Sequence, residues 1–142
     1  MRHGDLSNHG GVAIAFRMED TIIQKKSSNR LPEFVRNFDR LYGYEPNDGV
    51  IATIDRIYRR TDYNIVIVVD KQNADKKIVR EVLDSMRHGE AFVCDKSSQI
   101  TTRLHTKMYE YYVDNNPLRL QEISTDGAVT FEEFTKSCVR VR

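Results

Sequence analysis

Residues 64–70, Asn-Ile-Val-Ile-Val-Val-Asp, constrain the fold of this chain more than any other segment. The five central residues are all β-branched, and the run is too short for a helix, so it predicts a strand. Residues 11–16 form a second, nearly continuous apolar run, which is typical of a strand covered on both faces. Helical patterns alternate with these strands. The sequence therefore predicts an α/β fold with a mainly parallel sheet.

Apolar spacing and turn residues predict the remaining elements. Helices are expected over residues 31–42, 50–60, 75–87 and 98–106, and over 118–123 after Asn116 as N-cap and Pro117 in the first turn. Residues 90–94 and 109–114 are expected to be short strands, and residues 24–30 and 43–49 connecting loops. Two interpretations of the last segment stay open. Residues 128–131 form a final strand, or Thr130 caps a helix with Glu133 completing a capping box.

Length and composition favour one domain and exclude several function classes. A chain of 142 residues with 39% hydrophobic content suits a flexible arm over residues 1–10 and a single domain over 11–142. The 22 basic and 21 acidic side chains nearly balance, so no overall field favours nucleic acid or a membrane. Cys94 and Cys138 suit reduced thiols, and neither a signal peptide nor a long apolar run is visible. We therefore expect a cytoplasmic protein.

The segment after the first predicted strand has the layout of a catalytic loop. The apolar run ends at Phe16 and is followed by Arg17, Glu19 and Thr21 at alternate positions. This pattern resembles the first motif of the haloacid-dehalogenase-like phosphatases, Asp-x-Asp-x-Thr, whose first Asp is the nucleophile and whose second is the acid/base. Arg17 and Glu19 occupy those two positions. A guanidinium has no lone pair with which to attack phosphorus, so the resemblance implies a site without its nucleophile.

The second half of the chain carries weaker parts of the same resemblance. Asp114 and Asn115 follow the strand over 109–114 and are similar to the paired carboxylates that hold magnesium in the family, with Asn115 replacing the second acid. Lys96 matches the phosphate-holding lysine, and Lys107 is a weaker candidate. The second motif lacks its hydroxyl, because the strand over 64–70 ends in Val69 and Asp70.

The resemblance implies a small, cap-less, three-layer α/β sandwich with helices on both faces and the strands of Arg17 and Asp114 adjacent at its centre. It also implies a catalytically inactive domain that acts as a binding or regulatory protein. Such a domain would suit a compact genome such as a phage's. We expect no cofactor, a protein partner in the first place and a small phosphorylated ligand in the second, with contacts near residues 24–30 and 43–49. The alternative is a small magnesium-dependent phosphatase or nucleotidase, with Glu19 and Asp114 as metal ligands and Asp20 as a further candidate group.

Simpler interpretations of these residues stay open. Arg17 is also explained as a solvent-facing residue after a strand, and residues 114–117 as an ordinary turn and helix cap. A lysine at the position of Lys96 is more often a solvated loop lysine than a phosphate ligand. The four histidines show no spacing typical of metal ligands. If Arg17 replaces the metal, it should form a salt bridge with Asp114 and a second one with Glu19.

Overall fold

The computed structural model describes residues 11–25, 44–71 and 89–138. Their elements in chain order are β1 (Ala13–Arg17), β2 (Ile23–Lys25), β3 (Tyr44–Pro46), α1 (Asp48–Arg60), β4 (Asn64–Asp70), β5 (Glu90–Cys94), α2 (Ser97–His105), β6 (Tyr109–Val113), α3 (Pro117–Ile123), β7 (Ala128–Val129) and α4 (Phe131–Glu133). A wide turn over Met18–Ile22 follows β1, and another over Phe134–Cys138 follows α4. The helices predicted over 31–42 and 75–87, and the arm over 1–10, lie outside the described residues.

Five parallel strands form the central sheet, in the spatial order β5-β4-β1-β6-β7. Numbered within this sheet alone, the order is 3-2-1-4-5, which is the Rossmann-like arrangement. The predicted parallel α/β fold is confirmed, and so is the central pairing of β1 with β6. Chain order reverses between these two strands. Their carboxyl ends therefore flank the topological switch point, where ligands of open α/β sheets bind.

Helices cover both faces of this sheet, as predicted. Side chains that alternate along β1 and β4 pack on one face against α1, the Met18–Ile22 turn and Phe134, with the Phe16 and Phe134 rings edge to face at 5.7 Å between centroids. The intervening side chains pack on the other face against α2 and α3. Both strands are therefore apolar along nearly their whole length, and this explains the continuous runs in the sequence.

Polar caps set the helix starts close to their predicted positions. Asn47 accepts a hydrogen bond from the Val50 amide and begins α1, while Asn116 accepts from the Leu118 amide and begins α3. The strand predicted over 128–131 is confirmed only in part, and the predicted capping box is present. Residues 128–129 form β7, and Thr130 and Glu133 then exchange hydrogen bonds as a capping box for α4.

A small antiparallel sheet replaces two of the predicted loops in part. β2 pairs with β3 through three residues on each strand, in the segments expected to be loops over 24–30 and 43–49. Buried Ile23 anchors β2, and the Asn47 amide donates to the Ile22 carbonyl at 2.7 Å. Strands of three residues are too short to show alternation, so the sequence did not reveal them.

No helix in the part of the chain that the structure describes has the length and apolar character needed to cross a bilayer.

Candidate functional site at the carboxyl edge of the sheet

Strand periodicity brings several polar side chains to one face at the switch point. Ala13 and Ala15 point to the α2 and α3 side of the sheet, so Arg17 at the end of β1 points there too. Because side chains alternate along a strand, Asp70 at the end of β4 and Asp114 just after β6 lie on the same face as Arg17. Tyr112 lies buried between the strand ends. We call Arg17, Glu19, Asp20, Asp70, Tyr112, Asp114 and Arg119 the carboxyl-edge cluster.

Arg17 is buried, with 4% of its surface exposed, and this excludes the solvent-facing interpretation. Its Nε donates to Glu19 Oε1 at 2.8 Å, so the predicted ion pair with Glu19 is present. Its Nη atoms lie 3.4 Å from the Tyr112 hydroxyl and 3.4 Å from Asp70 Oδ2. Glu19 Oε2 also accepts from the Asp70 amide at 3.0 Å. Arg17 and Glu19 thus both bind Asp70, and together they join the end of β1 to the end of β4.

The predicted salt bridge between Arg17 and Asp114 is wrong, because another arginine holds that carboxylate. Arg119 Nε donates to Asp114 Oδ2 at 2.7 Å and its Nη2 to Oδ1 at 3.0 Å, a bidentate pair. The Tyr112 hydroxyl also donates to Asp114 Oδ2, at 2.6 Å. Asp114 is completely buried. Arg17 therefore reaches Asp114 only through the hydroxyl of Tyr112.

Arg119 also fixes the wide turn that follows β1. Its Nη2 donates to the Glu19 carbonyl at 3.0 Å and to Asp20 Oδ2 at 2.9 Å. Asp20 has a φ of 64°, a left-handed conformation that aspartate tolerates better than most residues. One guanidinium on α3 thus holds the turn and the end of β6 together.

Thr21 and Asn115, two of the predicted site residues, have structural contacts here. Buried Thr21 accepts from the Asn115 amide at 2.9 Å and donates to the Glu19 carbonyl at 3.4 Å. The Asn115 side chain accepts from the Phe131 amide at 2.9 Å, at the start of α4. Asp114 Oδ1 accepts from the Asn116 amide at 2.9 Å. Residues 114–117 therefore do form the turn and helix cap of the simpler interpretation, although Asp114 belongs to the cluster as well.

The pKa values of three groups in the cluster are raised above their ordinary values. For Tyr112, burial raises the pKa first, and the neighbouring Asp114 charge raises it further. For Arg119, burial lowers the pKa, but the hydrogen bonds and charge of Asp114 outweigh it and leave the pKa raised. Arg17 follows the same balance, with Tyr112 and Glu19 outweighing burial. Both guanidinium groups are therefore permanent cations, and Tyr112 is a neutral donor at any physiological pH.

Neither lysine candidate joins the cluster. Lys96 is exposed and follows the edge strand β5, which β4 separates from β1. Its amide donates to Gln99 Oε1 at the start of α2. Lys107 precedes β6, at the opposite end of that strand from Asp114. Cys94 is a buried free thiol, and burial raises its pKa. The side chain of Cys138 lies outside the described part of the chain.

Magnesium, which the family resemblance implies for an active site, does not fit the groups present. A hard cation needs several oxygen ligands at close range. Both Asp114 oxygens already bind Arg119, and Glu19 binds Arg17. Among the residues that the structure describes, no three acidic, histidine or cysteine side chains group closely enough to hold a metal ion. Two fixed guanidinium groups occupy the region where a cation would compensate the carboxylates.

Comparisons of the chain with protein families, with curated proteins and with solved structures each found no match.

Sequence reasoning missed Arg119, although one signal pointed to it. Arg119 lies in the first turn of α3, two residues after Pro117. A cation there is disfavoured by the helix dipole, so such a residue needs a compensating anion nearby. Long helical side chains also point back toward the helix N-terminus, where Asp114 lies. The sequence thus contained a reason to pair Arg119 with Asp114.

Proposed function

We propose that this chain is a catalytically inactive, haloacid-dehalogenase-like α/β domain that acts by binding a protein partner. The bidentate pairing of Arg119 with buried Asp114 carries the proposal. It occupies the carboxylate that a phosphatase of that family would use to hold its metal. Arg17, at the position of the nucleophile, is held by Glu19. The 3-2-1-4-5 strand order and the neighbouring ends of β1 and β6 support the resemblance at the level of fold.

The charge pattern of the cluster supports binding rather than phosphoryl transfer. Four carboxylates, those of Glu19, Asp20, Asp70 and Asp114, face two guanidinium groups. A phosphate entering this edge would meet an excess of negative charge and no metal to offset it. A phosphorylated ligand is therefore the weaker of the two ligand classes.

A phosphatase assay tests the proposal directly. We expect no magnesium-dependent hydrolysis of p-nitrophenyl phosphate or of nucleotides above a blank without protein, and no rise in the melting temperature when magnesium replaces sodium at equal ionic strength. Asp114→Asn is the control that separates this site from a contaminating enzyme. Magnesium-dependent turnover that disappears in a folded Asp114→Asn protein would establish the phosphatase alternative and overturn the proposal.

The surface beside the cluster offers a place for the partner. Leu118, at the start of α3, is 70% exposed; Arg119 follows it in the chain, and the exposed Asn115 lies three residues before it. Asp20 lies on the same side, with its side chain 41% exposed. An apolar side chain surrounded by polar groups is the usual composition of the centre and rim of a protein interface. We define Asp20, Asn115 and Leu118 as the carboxyl-edge rim.

Affinity purification with matched variants tests the rim. Leu118→Asp should lose a partner that the wild-type protein retains, because it places a charge at the centre of the surface. Met108→Asp is the control, since Met108 is 52% exposed but precedes β6 at the opposite edge of the sheet. A partner lost with Met108→Asp and kept with Leu118→Asp would contradict a carboxyl-edge interface.

A further inference from the structure

A pocket of about 340 Å³ lies at the amino edge of the sheet, opposite the carboxyl-edge cluster. It opens where β5, β4, β1 and β6 begin, on the face that α2 covers. Ala13, Val66 and Tyr109 form a buried apolar floor, and Phe92 and Met108 form walls. Its volume is near the lower end for sites that hold small organic molecules.

One cation, Arg103, lines this pocket. Arg103 stacks on the Phe92 ring with 4.1 Å between the guanidinium carbon and the ring centroid, and its Nη1 donates to the Gln99 carbonyl. No carboxylate forms an ion pair with Arg103 in the described ranges. A guanidinium whose carbon lies over an aromatic ring keeps donors on its edge available for a planar anion.

A buried hydroxyl lies beside that cation. Tyr109 is only 4% exposed, and burial raises its pKa to about 12, although the neighbouring Arg103 opposes the rise. Because a guanidinium only donates, Arg103 cannot accept the phenol proton. A buried donor without an acceptor costs free energy, which a ligand oxygen would recover.

We propose that this pocket binds a small organic carboxylate. One oxygen accepts from Tyr109 and the carboxylate accepts from Arg103, while an apolar body packs against Phe92 and Met108. Glu90 also lines the pocket, and its charge acts on Tyr109. Its side chain is exposed, so water weakens its repulsion of a bound carboxylate without abolishing it, whereas Arg103 and Tyr109 act inside the pocket. This inference is independent of the proposed function, because it concerns other residues at the opposite edge.

A matched pair of probes tests the chemistry, namely phenylacetate and its neutral analogue phenylacetamide. Titrations of the full chain followed by NMR give both dissociation constants and the residues whose signals shift. We expect phenylacetate to bind about tenfold more tightly, the ratio that one charged hydrogen bond supplies. The largest shifts should fall on Phe92, Arg103 and Tyr109.

Three variants make the result decisive. Arg103→Met should abolish the preference for the acid, whereas Arg59→Met, an equal change of charge at an exposed position on α1, should leave it intact. Glu90→Gln should strengthen the binding of the acid, and it provides a test if Arg103→Met does not fold. The proposal would be overturned by equal affinities for the two probes, by no binding of either, or by shifts centred outside the pocket. It would also be overturned if Arg103→Met kept the preference for the acid, or if Glu90→Gln bound the acid no better than the wild type.

Discussion

Replacing Arg119 with alanine should lower the free energy of unfolding by about 3 kcal/mol, at the lower end of the range for breaking a buried ion pair because Arg119 itself is partly exposed. The change leaves the completely buried Asp114 without its cation and removes the bonds to Asp20 and to the Glu19 carbonyl. Alanine favours the helix slightly more than arginine does, but this gain is a few tenths of a kcal/mol. Chemical denaturation at neutral pH measures the difference.

Arg59→Ala is the matched control for that experiment. Arg59 also lies on a helix and also pairs with an aspartate, Asp55, but 72% of its side chain is exposed. Exposed pairs of this kind contribute about 0.5 kcal/mol or less. If Arg119→Ala and Arg59→Ala cost the same, the pair with Asp114 does not stabilise the carboxyl edge. A double-mutant cycle with Asp114→Asn would then show no coupling.

Arg17→Asp should destabilise the domain more than Arg17→Leu does, and the second change alone should cost about 3 kcal/mol. Leucine removes the cation that pairs with Glu19 and Asp70 but still fills part of the buried volume. Aspartate removes the same cation and adds another carboxylate to the four already in the cluster, so like charges repel at close range. Thermal and urea unfolding of the three proteins compares them.

Magnesium separates loss of charge from loss of packing in these variants. It should raise the melting temperature of Arg17→Asp most, because that variant adds a third carboxylate to Glu19 and Asp70 without their cation. It should raise that of Arg17→Leu less and leave the wild type unchanged. Equal stabilities of Arg17→Asp and Arg17→Leu would argue against repulsion. A large gain by the wild type with magnesium would mean that the two arginines do not take the place of a cation.

Local patterns predicted the scaffold because each depends on neighbouring residues. The β-branched run over 64–70 became β4, and Asn116 with Pro117 began α3 as expected. The β2–β3 pairing could not be seen, since three-residue strands carry no periodicity and their partners lie about twenty residues apart in the chain. The pairing of β1 with β6 followed from the family resemblance rather than from the residues themselves.

The cluster was predicted only in part, because sequence separation hides which charge meets which. Arg17, Glu19 and Asp114 do lie near the same strand ends, but the partner of Asp114 is on the next helix. The alternation of side chains along β4 would have placed Asp70 on the same face of the sheet as Arg17. The dipole argument would have drawn attention to Arg119. Lys96 was misplaced because the loop that carries it follows an edge strand, away from the centre of the sheet.

The contacts of Arg119 also affect the order in which the chain completes its fold. Asp20 and Arg119 are 99 residues apart in sequence, and Glu19 and Arg119 are 100 apart. Chains are synthesised at roughly 5 to 20 residues per second. The turn after β1 therefore leaves the ribosome long before α3, whose Arg119 binds that turn. Contacts with such a large sequence separation form late and slow the folding of a domain. The carboxyl edge can therefore take its final shape only after most of the chain has been translated.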